Sequence, residues 1–162
     1  MDYTPNQTCC FTGHRTLPPA VLETIRAKLR NRVLGLLAEG VLYYKVGGAV
    51  GFDTLAAEVL FDLRQEHPEM RVALLYPFDG YTATWKQEQM AHYRRLLPCY
   101  DEVVCVSPPP RRAADAYLLR DRRLVDGSGV VVAYCTRRSG GTAYTLRYAQ
   151  RAGCRVYNLA EE

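Results

Sequence analysis

Short apolar runs alternate with longer amphipathic ones along this chain, and the rhythm persists from residue 8 to residue 159. Residues 8–12 read as a short buried strand that stops at Gly13. After Pro18 and Pro19, apolar residues Val21, Leu22, Ile25, Leu29, Val33, Leu36 and Leu37 recur at helical spacing until Gly40 closes the segment. A second strand is predicted over 41–46, ending at Gly47-Gly48, and a second helix over 52–65 with Leu55, Ala56, Val59, Leu60 and Leu63 on one face. Further strands are predicted over 71–76, 102–106, 129–134 and 155–159, and further helices over 85–97, 113–125 and 142–152. Strands and helices alternating at these lengths predict an α/β protein with a mostly parallel sheet and helices on both faces. Right-handed crossovers make a Rossmann-like doubly wound fold the leading expectation and leave the strand order open.

In such a sheet the carboxyl ends of the strands share one edge, where ligands bind. The unusual residues of the sequence fall at those ends. GGAVGFD sets Gly47, Gly48 and Gly51 between a strand and a helix, a context in which backbone amides approach an anion at the helix N-terminus. Its spacing differs from both the dinucleotide fingerprint and the Walker A pattern, which disfavours a conventional NAD or ATP site. Asp53 either caps the helix or turns its carboxylate to the crevice to accept hydrogen bonds from a ribose. Ser139-Gly140-Gly141-Thr142 is a second glycine-rich turn into a helix, with two hydroxyls to supplement the amides. At the end of the first strand, Thr12-Gly13-His14-Arg15 offers a flexible joint, an imidazole and a guanidinium fork suited to phosphate. Trp85 follows the third strand, placed either to stack on a base or to anchor its helix.

Composition narrows the field only a little. With 162 residues the chain is sized for one domain spanning 1–162. The net charge of +4, carried mainly by arginine, suits a phosphate-bearing ligand but does not by itself mark a nucleic-acid binder. The six cysteines form no CxxC pair, and no Cys/His cluster has zinc-ligand spacing, so no metal and no obligatory cofactor are expected. The first residues lack the pattern of a secretory leader, and no apolar run approaches a membrane span; a cytoplasmic location with free thiols is expected.

CCFTGHR, GGAVGFDTLAAE, YPF with Trp85 and Gln89 downstream, RDRRLVD (120–126) and SGGT occur in an order that resembles the YpsA-like branch of the SLOG superfamily. That superfamily also includes the DprA/Smf DNA-processing proteins and the LOG phosphoribohydrolases. The resemblance implies a Rossmann-like domain that binds a nucleotide or an ADP-ribose-like derivative, as a bacterial sensor or regulator. It carries the ligand role to Thr12, Gly13, Arg15, Gly47, Gly48, Gly51, Asp53, Arg120, Ser139, Gly140, Gly141 and Thr142, with His14 and Trp85 following. LOG enzymes pair an arginine with PGGxGTxxE, whose glutamate helps to cleave an N-glycosidic bond. Here Arg120 matches that arginine, but no glutamate follows SGGT within a helical turn. The first expectation is therefore a non-catalytic binder of a small phosphorylated nucleotide-derived ligand, with homo-oligomerisation left open. The alternative is an N-glycosidase acting on nucleoside monophosphates, with Asp53 and Arg120 as candidate catalytic residues. A DprA-like nucleic-acid binder ranks last, because acidic residues interleave with the basic ones.

Overall fold

The structure is a computed structural model in which residues 2–162 are described. In chain order its main elements are β1 (Thr8–Gly13), α1 (Leu22–Ala38), β2 (Tyr43–Val46), α2 (Phe52–Arg64), β3 (Arg71–Tyr76) and α3 (Gln87–Leu96). They continue with β4 (Glu102–Cys105), α4 (Ala113–Val125), β5 (Val130–Tyr134), α5 (Gly141–Arg151) and β6 (Arg155–Asn158). All six strands are parallel, in the order β4-β3-β2-β1-β5-β6. The doubly wound expectation therefore holds, now with a strand order.

The order explains where the helices go. From β1 the chain steps through β2 and β3 to β4 in one direction, then crosses back through α4 to β5 and α5 to β6. Right-handed crossovers taken in opposite directions put their helices on opposite faces. Alternate strand residues follow suit. Cys9, Phe11, Val72, Leu74, Val130 and Val132 pack with α1 and α2, while Cys10, Ala73, Leu75 and Val131 pack with α4 and α5. Lys45 of β2 is buried beneath the α4 side. Its ammonium donates to the carbonyls of Arg123 and Asp126 (3.4 and 2.9 Å), offsetting the negative end of α4. Desolvation by burial lowers its pKa. On the other face Glu58 ties α1, α2 and α3 together through Arg26 (3.0 Å) and His92 (2.8 Å).

Element boundaries depart from the periodicity for local reasons. The first helix is entered through a 3-10 turn, Pro19–Val21, because the prolines have no N–H to give. Val21 N–H closes that turn on Pro18 O (3.1 Å). The strand predicted from 41 starts at Tyr43, since the Val41 amide is used on Leu36 O to close α1. Trp85 lies outside α3; its amide bonds Thr82 O, and the extended Lys86 caps the helix with its N–H on the Gln89 side chain (3.0 Å). All six cysteines are unpaired. No helix among the described residues is long and apolar enough to cross a membrane.

Candidate ligand crevice

β1 is flanked by β2 and β5, and the chain leaves these neighbours in opposite directions, so a crevice opens at the carboxyl end of β1. A cavity of about 460 Å³ occupies it. Thr12, Gly13, His14 and Arg15 line it from the end of β1, and Asp53 from the first turn of α2. Arg120 enters from α4, and Ser139, Gly140, Gly141 and Thr142 from the turn into α5. Four segments distant in sequence thus meet at one site.

The α5 side is open. Gly140 has φ 99°, a left-handed conformation that favours glycine. A Cβ on Gly140 or Gly141 would meet nothing within 4 Å. The Gly141 and Thr142 amides donate to no acceptor among the described residues, so the positive end of α5 faces the cavity. Arg15 and Arg137 line the same space, both exposed and without a carboxylate partner among the described residues. His14 Nε2 accepts the Thr136 backbone N–H (2.8 Å), which leaves the ring proton on Nδ1. Desolvation, reinforced by Arg137, lowers its pKa and keeps it neutral.

The α2 side is closed. Phe52 N–H donates to His14 O (3.1 Å), and a Cβ on Gly51 (φ 80°) would collide with the Arg15 carbonyl oxygen. The glycines of GGAVG therefore lie behind the cavity wall, where they let two loops and two side chains approach. At Gly47 an added Cβ would sit 2.9 Å from Asp53 Oδ2 and 3.0 Å from Arg120 Nη1. At Gly48 it would sit 2.5 Å from Leu74, while Gly48 O accepts from Tyr81 OH (2.9 Å). The anion-ready helix start is that of α5, and α2 contributes Asp53 instead.

Asp53 is buried, and its Oδ2 accepts the Ala49 N–H (3.1 Å). Oδ1 has no hydrogen-bond partner among the described residues. Burial pushes the carboxyl up to about 6, although the Arg120 guanidinium pulls it down. Arg120 is buried too, held by Asp121 Oδ1 on Nε (2.8 Å) and by Gly47 O on Nη1. With the folded value above the unfolded one, the native state retains this proton between about pH 4 and 6, and stability falls as pH rises through that window. Asp53→Asn is expected to raise stability by roughly 2–3 kcal/mol above pH 6–7, with the gain vanishing below about pH 4. Urea titrations across that range read it; a gain independent of pH would show that the carboxylate charge is not its source.

Trp85 sits outside the main cavity, edge-on to Tyr81 and Tyr93 (5.5 Å each), and borders a small side pocket. Among the lining residues that the sequence does not single out are Tyr117 and Arg137. Tyr117 lies three residues before Arg120 on the same helix, a spacing that puts both on one face and was the available signal. Among the described residues no group of His, Cys, Asp and Glu converges as a metal site.

An all-parallel doubly wound sheet with its crevice at the switch point places the molecule among Rossmann-like α/β proteins. The YpsA family model, described as the YspA SLOG family, matches residues 5–159, and the chain belongs to that family. It is 29% identical over 128 residues to a UPF0398 protein of Halalkalibacterium halodurans, covering 78% of this chain and 68% of the relative. It is 26% identical over 131 residues to the UPF0398 protein YpsA of Bacillus subtilis, covering 80% and 73%. Among solved structures it resembles DNA processing protein A of Streptococcus pneumoniae, with TM-score 0.65 and 14% identity over 92% of this chain. The match spans about half (48%) of that protein. DNA processing protein A of Helicobacter pylori, described for its single-stranded DNA binding mode, gives TM-score 0.61 and 19% identity, covering 94% of this chain and 64% of that one. At these identities the two structures support the fold.

Proposed function

We propose that this protein binds a small phosphorylated, nucleotide-derived ligand, ADP-ribose-like in its parts, and acts as a sensor or regulator without turnover. The observation that carries the reading is the pairing, in one cavity, of an open α5 N-terminus with the buried Asp53 carboxylate. The first takes phosphate, assisted by Ser139, Thr142, Arg15 and Arg137. Asp53 repels phosphate and accepts sugar hydroxyls, which orients the ligand. Family membership and the DprA-like fold agree with a nucleotide or nucleic-acid ligand.

Thermal stabilisation against nucleotides, ADP-ribose and NAD is the test; a ligand at 100 times its Kd adds about 2.7 kcal/mol. Gly141→Asp is the control. Its side chain has open space, and an acidic residue at a helix start is favourable by about 0.3–1 kcal/mol. Its charge stands where the phosphate binds, so affinity is expected to fall at least about 10-fold with the fold intact. Stabilisation unchanged by Gly141→Asp would sink the α5 phosphate site.

One observation favours an N-glycosidase as the second reading: a buried carboxyl raised to about 6 beside Arg120 is suited to general acid or base work. It predicts free base released from a nucleoside monophosphate and lost in Asp53→Asn. Release at the buffer rate rejects it.

A further inference from the structure

Arg15, Ala49, Tyr117 and Arg120 border both the main cavity and a side pocket of about 10 Å³, whose other walls are Val50, Tyr81 and Trp85. We infer that the Tyr117 ring is the platform for the ligand's nucleobase, and that Arg15 leaves the ring when the ligand's phosphate binds. This rests on the crevice being a phosphorylated-ligand site and adds which ligands it selects: those carrying an aromatic base.

The Arg15 guanidinium lies 4.6 Å from the centre of the Tyr117 ring. Among the described residues five other arginines also lie over aromatic rings, and each has a further tie. Arg32 and Arg64 pair with Glu162 and Asp101, and Arg155 with Glu39. Arg120 pairs with Asp121, and Arg122 bonds Tyr144 OH. The Arg15 side chain has no hydrogen bond or ion pair among the described residues and is exposed. An exposed cation–π contact is weaker than charge-assisted hydrogen bonds to phosphate, so a phosphate in the cavity outcompetes the ring.

Only the side chain is free to make this move. The Arg15 carbonyl is packed against Gly51, so the backbone stays and the guanidinium swings. The ring stays too, half-buried and tilted against Phe78 with centroids 5.9 Å apart. What remains is an aromatic ring with only the fixed Arg120 guanidinium 5.8 Å from its centre, beside a ribose acceptor, and bases stack on such rings irrespective of identity.

Calorimetric titration with a purine nucleoside monophosphate and with ribose 5-phosphate separates base from sugar-phosphate, with Trp85 fluorescence as a second readout. In the unaltered protein and in Tyr117→Phe the nucleotide is expected to bind at least about 10-fold more tightly. In Tyr117→Leu that ratio falls below about 3-fold, with ribose 5-phosphate bound at least as well as before. Arg15→Met, at an exposed position that folding tolerates, weakens both compounds and preserves their ratio. A full ratio retained in Tyr117→Leu, or no ratio in the unaltered protein, overturns the platform while leaving the crevice reading intact. Failure of both compounds to bind overturns the crevice reading and the platform with it.

Discussion

Arg120→Met is expected to destabilise the protein by about 3–5 kcal/mol near neutral pH and to abolish ligand binding, because it strips a buried carboxylate environment of its cation. Asp121 loses its 2.8 Å partner, Gly47 O loses its donor, and Asp53 loses the charge that holds its carboxyl down. The Asp53 part depends on pH. Without Arg120 the Asp53 carboxyl titrates still higher than about 6, so the deficit is largest where Asp53 is ionised and shrinks as pH falls through that value. The Gly47 part does not titrate. A double-mutant cycle with Asp53→Asn separates the two, since Asn removes the ionised carboxylate while its carbonyl still faces Ala49 N–H. A deficit flat with pH and unaffected by Asp53→Asn would mean that Arg120 acts through its bonds to Gly47 O and Asp121 and its packing, and not through the charge of Asp53.

Gly51→Ala is expected to cost about 2–5 kcal/mol, from a left-handed conformation and an overpacked backbone contact together. Its φ of 80° is costly for alanine wherever it occurs, and here the new methyl meets the Arg15 carbonyl rather than a movable side chain. The displaced turn carries His14 and Arg15, so ligand affinity falls with stability. Gly140→Ala supplies the comparison, for its φ of 99° is equally unsuited to alanine but its surroundings are empty. It should lose only the backbone part, about 1–2 kcal/mol. Equal urea midpoints for the two variants would refute the steric contribution at Gly51.

Most strands and helices were legible because each face of the sheet is covered and periodicity reports covering. The strand order was not, since parallel strands buried on both sides look alike in sequence; β1 and β5 differ in nothing that marks them as neighbours. The convergence of the candidate residues was legible at both ends of the crevice. Thr12 to Arg15 and Ser139 to Thr142 line the cavity as their position after β1 and β5 implies. GGAVG announced a need for glycine without disclosing its cause. The groups that demand Gly47, Gly48 and Gly51 are Asp53 with Arg120, Leu74 with Tyr81, and Arg15, most of them contributed by other parts of the chain. A glycine kept small for a ligand and one kept small for a neighbour read identically until the neighbour is seen. Trp85 follows the third strand and so reads as a stacking candidate, yet it is Tyr117, an ordinary tyrosine on an ordinary helix, that lines the main cavity.

The bond from Phe52 N–H to His14 O joins the two loops on one side of the crevice, while the turn at Gly140 has open space around it. The crevice is thus a vice with one fixed jaw. On the proposed reading, a phosphate bound here would order the other jaw, the first turn of α5, since on the fixed side only the Arg15 side chain has room to move. Occupancy would then be felt at the outer half of the sheet, through α5 and β6, the end of the molecule that a partner sensing the ligand would read.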